Sequence, residues 1–165
     1  MPNILNQNSV NLSNPKGKVV LFFPHFGEKN QDNNWMPFPY LYLAPFLEKA
    51  NYVVRIVDAR VESDWENILT NELKDAFALG ITGMSGPDLI PAIEAARIAK
   101  GMNNKVNIIW GGAHASALPD EIFEADMADY ILLGPAEFTF PTLLDSIYFK
   151  KEIPSEVKGI LYKRD

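Results

Sequence analysis

The sequence contains no cysteine. That excludes disulfides, thiolate zinc sites, cysteine nucleophiles and any iron–sulfur cluster held by this chain's own thiols. It suits a reducing compartment, and the expected location is the cytoplasm. Histidine is scarce too. His25 and His114 are the two in 165 residues, and no H-x-x-x-H pair occurs, so a zinc hydrolase site is not expected. Basic residues number 15 against 21 acidic ones, and a net charge of −6 lacks the footprint of a nucleic-acid binder. No apolar run approaches the roughly 18 residues that span a bilayer. The N-terminus lacks the basic-then-apolar pattern of a signal peptide. Also missing are G-x-G-x-x-G after the first strand, G-x-x-x-x-G-K-[ST], and the nucleophile elbow G-x-S-x-G.

What is present is an apolar share of 47%, enough for one well-filled core. Residues 1–17, rich in Asn, Ser and Pro, are expected to form a flexible N-terminal arm, and residues 18–165 a single domain. From Val19 onward, strand and helix patterns alternate five times. Val19-Val20-Leu21-Phe22-Phe23 is apolar throughout, as a strand buried on both faces should be. A long loop, 24–39, follows. The spacing of Tyr40, Leu43, Ala44 and Leu47 predicts a helix over 40–50, with Pro45 inside it and Asn51 as its left-handed terminator. Further strands are predicted over 53–57, 78–82, 106–110 and 130–133. Helices are predicted from Ser63 or Asp64 through Leu73, over 87–100 with Pro87 as first helical residue, over 119–125, and over 137–149. Such β-α repetition predicts an α/β fold. It is a Rossmann-like, flavodoxin-like doubly wound parallel sheet of five strands, order 2-1-3-4-5, with Gly159-Ile160-Leu161-Tyr162 as an optional extra edge strand.

Ligands of such sheets bind beyond the carboxyl ends of the strands. Those ends carry Pro24-His25-Phe26-Gly27, Thr82-Gly83-Met84-Ser85-Gly86, Gly111-Gly112-Ala113-His114 and Gly134-Pro135-Ala136-Glu137. Their small residues let a ligand approach the backbone. Helix starts after the third and fifth strands would favour a phosphate.

These segments carry a family resemblance over most of the chain. Gly80-Ile81-Thr82-Gly83-Met84 resembles G-I-S-x-M. Trp110-Gly111-Gly112-Ala113-His114-Ala115-Ser116-Ala117-Leu118-Pro119 resembles W-G-G-x-H-x-[ST]-x-x-P. Asp129 to Gly134, followed by Glu137-Phe138-Thr139-Phe140, resembles D-x-x-x-x-G-E-G-E-x-[TS]-F. In this order the three pieces are similar to the N-terminal cobalamin-binding domain of cobalamin-dependent radical S-adenosylmethionine (SAM) enzymes. Pro135-Ala136 departs from the third motif, where the first Glu and second Gly are missing.

The resemblance implies cobalamin as ligand, its nucleotide tail entering the fold and its corrin lying over the carboxyl edge. It implies cofactor contacts at Thr82, Gly83, Met84, Ser85, Gly111, Gly112, His114, Gly134 and Glu137. It also implies that S-adenosylmethionine and an iron–sulfur cluster belong to a following domain that performs a methyltransferase or cyclase-type reaction, this domain binding without catalysing. The D-x-H-x-x-G motif that supplies an axial histidine in another branch is absent, so His25 is either an axial ligand out of pattern or a loop histidine. His114 could touch the ligand or cap a loop, Glu137 could cap the last helix or touch the ligand, and Asp58 is expected in a strand-end turn. Trp35, Phe38 and Tyr40 could wall a corrin face or dock another domain. Two alternatives stand beside this one: a flavodoxin-like nucleotide- or sugar-phosphate-binding enzyme domain, and a cobalamin-free interaction domain.

Overall fold

A computed structural model describes residues 14–25, 36–102, 105–154 and 156–163. Most of the expected arm therefore lies outside the described residues. The elements are β1 (Gly17–Phe23), α1 (Phe38–Lys49), β2 (Tyr52–Asp58), α2 (Trp65–Leu73), β3 (Ala76–Thr82), α3 (Leu89–Gly101), β4 (Asn107–Gly111), α4 (Gly112–Ala117), α5 (Pro119–Glu124), β5 (Tyr130–Leu132), α6 (Thr139–Tyr148) and β6 (Ile160–Tyr162). The sheet runs β2-β1-β3-β4-β5-β6. Its first five strands are parallel and β6 is antiparallel to β5. This is the expected Rossmann-like order with the edge strand added. Among the described residues, no helix is long and apolar enough to cross a membrane.

Because side chains alternate along a strand, each strand feeds two cores. Val19, Leu21, Ala78, Ile109 and Leu132 face α1 and α6, meeting Leu43, Leu47, Phe140, Leu143 and Leu144. Val20, Phe22, Leu79, Ile81, Ile108 and Trp110 face α2, α3 and α5. On that side α3 buries Ala92, Ala95, Ala96 and Ala99, whose short side chains let the helix lie close to the sheet at no rotamer cost. Asn51 ends α1 at φ 69°, as the sequence predicts. Pro45 sits on the exposed side of α1, where the helix bond it lacks opens toward solvent rather than the core.

Four local expectations need correction. Pro87 precedes α3 rather than starting it; the helix begins at Leu89 with Asp88 at its N-cap position. The segment after β4, expected as a loop, forms α4 at once. Glu137 does not cap α6, which starts at Thr139 behind Phe138 with no side-chain cap bond. Tyr40 is not exposed for docking another domain; it is 5% exposed and buried against the sheet.

Candidate functional site

Sheet topology reverses direction between β1 and β3, and the carboxyl ends of β3, β4 and β5 open beside that point. There α1 and α6 part over a cleft of about 200 Å³. Strand register puts Gly80 opposite Ile109 and Thr82 opposite Gly111. Gly80, Thr82, Ile109, Gly111 and Leu132 thus lie under the cleft, while Tyr40, Leu43 and Phe140 form its helical walls, with Gly112, Gly134 and Ala136 at its mouth. Ile81 and Trp110 also line it, although their side chains pack into the opposite core.

Missing side chains shape this cleft. A Cβ on Gly80 would lie 2.8 Å from Leu21 Cδ2 and 3.1 Å from the Phe140 ring, so Gly80 lets α6 settle on the sheet. A Cβ on Gly111 would meet only the Leu132 carbonyl oxygen, at 3.8 Å, so its absence leaves open volume. Gly112 has φ +85°, and a Cβ there would collide with Thr82 Oγ1. The tight turn from β4 into α4 therefore requires glycine at 112.

Two loops frame the mouth and are tied to each other. The His114 amide donates to the Gly83 carbonyl at 3.1 Å, and Ser85 Oγ lies 3.0 Å from His114 Nδ1. The His114 ring is buried and lines a separate pocket with Arg97 and Glu121 on the α3–α5 side, not the cleft. The buried Asp88 carboxylate accepts from the Met84 amide at 2.7 Å, fixing the turn after β3. Tyr40 donates to the Phe22 carbonyl at 2.8 Å and reaches the Gly80 carbonyl at 3.3 Å. Burial pushes its hydroxyl pKa well above the usual tyrosine value.

Of the residues expected at the site, Thr82, Gly111, Gly112 and Gly134 line the cleft. Gly83, Met84, Ser85 and Glu137 are not among its lining residues; Gly83 is buried, Glu137 half-buried, and Met84 and Ser85 are exposed. His25 lies two residues past β1 and is half-buried. Trp35 lies outside the described residues. Asp58 is bound by Arg60, at 2.8 Å from Nε and 2.7 Å from the terminal nitrogen, and holds the strand-end turn. Sequence reasoning missed Asp88, although an acid just before a helical pattern is a helix-start signal. It also missed the anchoring role of Tyr40, which no local pattern announces. Phe38, Met84 and Phe138, neighbours of lining residues, leave apolar side chains in solvent.

An open doubly wound sheet with an apolar cleft at its switch point defines an α/β ligand-binding domain. The chain belongs to the B12-binding domain family, whose profile matches residues 30–144. It is similar to the uncharacterized methyltransferase PH0819 of Pyrococcus horikoshii, with 27% identity over 132 residues, 78% of this chain and 28% of that protein. Its fold is similar to that of the radical S-adenosylmethionine methyltransferase TsrM from Kitasatospora setae, solved with tryptophan and a SAM analog. The TM-score is 0.73 at 18% identity, over 90% of this chain and 28% of the other. It is also similar to the cobalamin-dependent S-adenosylmethionine radical enzyme OxsB, solved with aqua-cobalamin and S-adenosylmethionine, with a TM-score of 0.72 at 21% identity, over 88% of this chain and 20% of the other. The chain thus spans less than a third of each of these relatives.

The residues present fit the tail of a corrinoid. The cleft is walled by carbon, is open at Gly111, and is reached past Gly112 and Gly134, where no side chain narrows the mouth. Among the described residues, no group of three His, Asp or Glu side chains is placed to hold a metal directly.

Proposed function

We propose that this chain is a cobalamin-binding domain that takes the cofactor's nucleotide tail into the β3–β4–β5 cleft and presents the corrin above the carboxyl edge. One observation carries the reading: an apolar cleft lies at the carboxyl ends of β3, β4 and β5 in a member of the B12-binding family, opened by glycine where the strand leaves room. Thr82, Gly111, Gly112 and Gly134 would surround the tail, and Met84, Ser85 and Glu137 would meet the corrin or its amides. His114 would act through Ser85 rather than by direct contact, given its 3.0 Å pairing.

A bound corrinoid supplies cobalt–carbon chemistry; the protein's part is to hold and orient it. The partner in this reading is a following radical SAM domain carrying the iron–sulfur cluster and S-adenosylmethionine, working on a methyl transfer or cyclisation in the reducing cytoplasm. The likeness to TsrM and OxsB, solved with cobalamin bound, and to a methyltransferase supports it. A sugar-phosphate enzyme has less support, because the cleft's walls are carbon rather than polar.

The experiment is a hydroxocobalamin titration of the purified chain, followed by removal of free cofactor and an absorbance spectrum. Retained corrinoid with a base-off spectrum is expected. No retention at a large cofactor excess would remove this reading for the chain by itself.

A further inference from the structure

We infer that the cleft selects the lower base of its corrinoid, accepting an apolar benzimidazole-type bicycle and discriminating against a purine. The inference rests on the corrinoid reading above and concerns which corrinoid fits.

Hydrogen-bonding capacity is scarce among the side chains of the cleft. Of the side chains lining the cleft, two are polar, those of Tyr40 and Thr82. The Tyr40 proton is committed, donated to the Phe22 carbonyl at 2.8 Å with the Gly80 carbonyl at 3.3 Å. The Thr82 hydroxyl, pressed against Gly112, has no hydrogen-bond partner among the described residues. Beneath the cleft, the backbones of β3 and β4 pair with each other through Gly80–Ile109 and Thr82–Gly111. Leu43, Ile109, Leu132 and Phe140 complete the walls with carbon alone.

Among the side chains, one uncommitted hydroxyl therefore serves the interior of the cavity, and the backbone groups of Gly112 and Gly134 stand at its mouth. A benzimidazole nucleotide has one ring nitrogen that is not bonded to the sugar, and a hydroxyl donor satisfies it. Its remaining edge is carbon and meets carbon. Adenine linked through one ring nitrogen keeps three other ring nitrogens and an amino group. Buried here, most of these would lose water and gain no partner, which opposes binding. The discrimination is of the kind where unpaired buried polar groups, rather than size, reject the wrong ligand.

Three ligands test this on the unaltered chain by equilibrium dialysis read by corrinoid absorbance: hydroxocobalamin, the same corrinoid with adenine as lower base, and cobinamide, which lacks the nucleotide. Hydroxocobalamin should bind roughly tenfold or more tighter than the adenine form. Equal affinity for the two overturns the inference while leaving the corrinoid reading intact. Cobinamide as tight as hydroxocobalamin also overturns it, because the base would then not occupy the cleft. Retention of none of the three overturns the corrinoid reading itself, and the inference with it. Thr82→Val should weaken hydroxocobalamin about fivefold and leave cobinamide unchanged; an equal loss for both would show that the hydroxyl does not serve the base.

Discussion

Thr82 Oγ1 fills the space that a side chain on Gly112 would need. The two residues lie on neighbouring strand ends, so the β3 and β4 loops are fitted to each other before any ligand arrives. Gly112→Ala forces a Cβ into that oxygen at φ +85° and should destabilise the fold by about 2 kcal/mol. In a Thr82→Ala background the loss should shrink by about 1 kcal/mol, because the collision is gone while the backbone strain stays. Urea unfolding of the four members of this cycle measures the coupling; strict additivity would refute it.

Gly111→Phe tests the cleft without that strain. Gly111 has φ −147°, an extended conformation open to any residue, and its Cβ would meet one carbonyl oxygen at 3.8 Å. The variant should keep its fold by circular dichroism and lose corrinoid retention. Retention equal to that of the unaltered chain would place the tail elsewhere.

Asp88 holds the turn that carries Met84 and Ser85. Asp88→Ala removes the acceptor of the Met84 amide and should cost about 1–2 kcal/mol of stability. Hydrogen exchange at the Met84 amide should speed up strongly in this variant, and unchanged protection would show that another group holds the turn.

Tyrosine burial sets an alkaline limit. Burial raises the pKa of Tyr40, and burial followed by the Asp145 hydrogen bond raises that of Tyr52. The folded chain therefore keeps both protons at pH values where the unfolded chain has released them. Stability from these groups is whole below about pH 10 and declines as pH rises past it. Tyr40→Phe should lower stability at neutral pH by about 1 kcal/mol and flatten its fall above pH 10. A slope unchanged from the parent chain would contradict this.

His25→Ala addresses the metal's lower face. The residue follows Phe23-Pro24 outside the D-x-H-x-x-G pattern. The bound corrinoid's spectrum should be the same in this variant as in the unaltered chain. A shift on substitution would assign His25 as the axial ligand.

The fold was legible because short continuous apolar runs, helical spacing and strand-end glycines are local signals. Val19 to Phe23 reads as a strand buried on both faces, and Thr82 and Gly111 read as strand ends that the register then places side by side. The failures came from contacts distant in sequence. Pro87 has the look of a first helical residue, but Asp88 turns its carboxylate back to Met84 and the helix starts later. Gly112 to Ala117 reads as a loop because glycine and small residues lead it, yet the ties from His114 to Gly83 and Ser85 hold it helical. Tyr40 reads as the first residue of a helical stripe with Leu43 and Leu47, but the carbonyls of β1 and β3 that its hydroxyl meets come from strands distant in sequence. The cleft belongs to this second kind: its walls come from elements far apart in the chain, so sequence gives its rim and not its interior.

Gly111 also sets two demands on the chain against each other. A glycine within a strand forgoes about 0.5–1 kcal/mol relative to alanine, and here nothing in the backbone or its surroundings forbids the larger residue. Selection for folding alone would therefore drift toward a side chain at 111, yielding a sturdier molecule with a sealed interior. A stability screen carried out without cofactor should enrich such variants at this position and discard function in doing so.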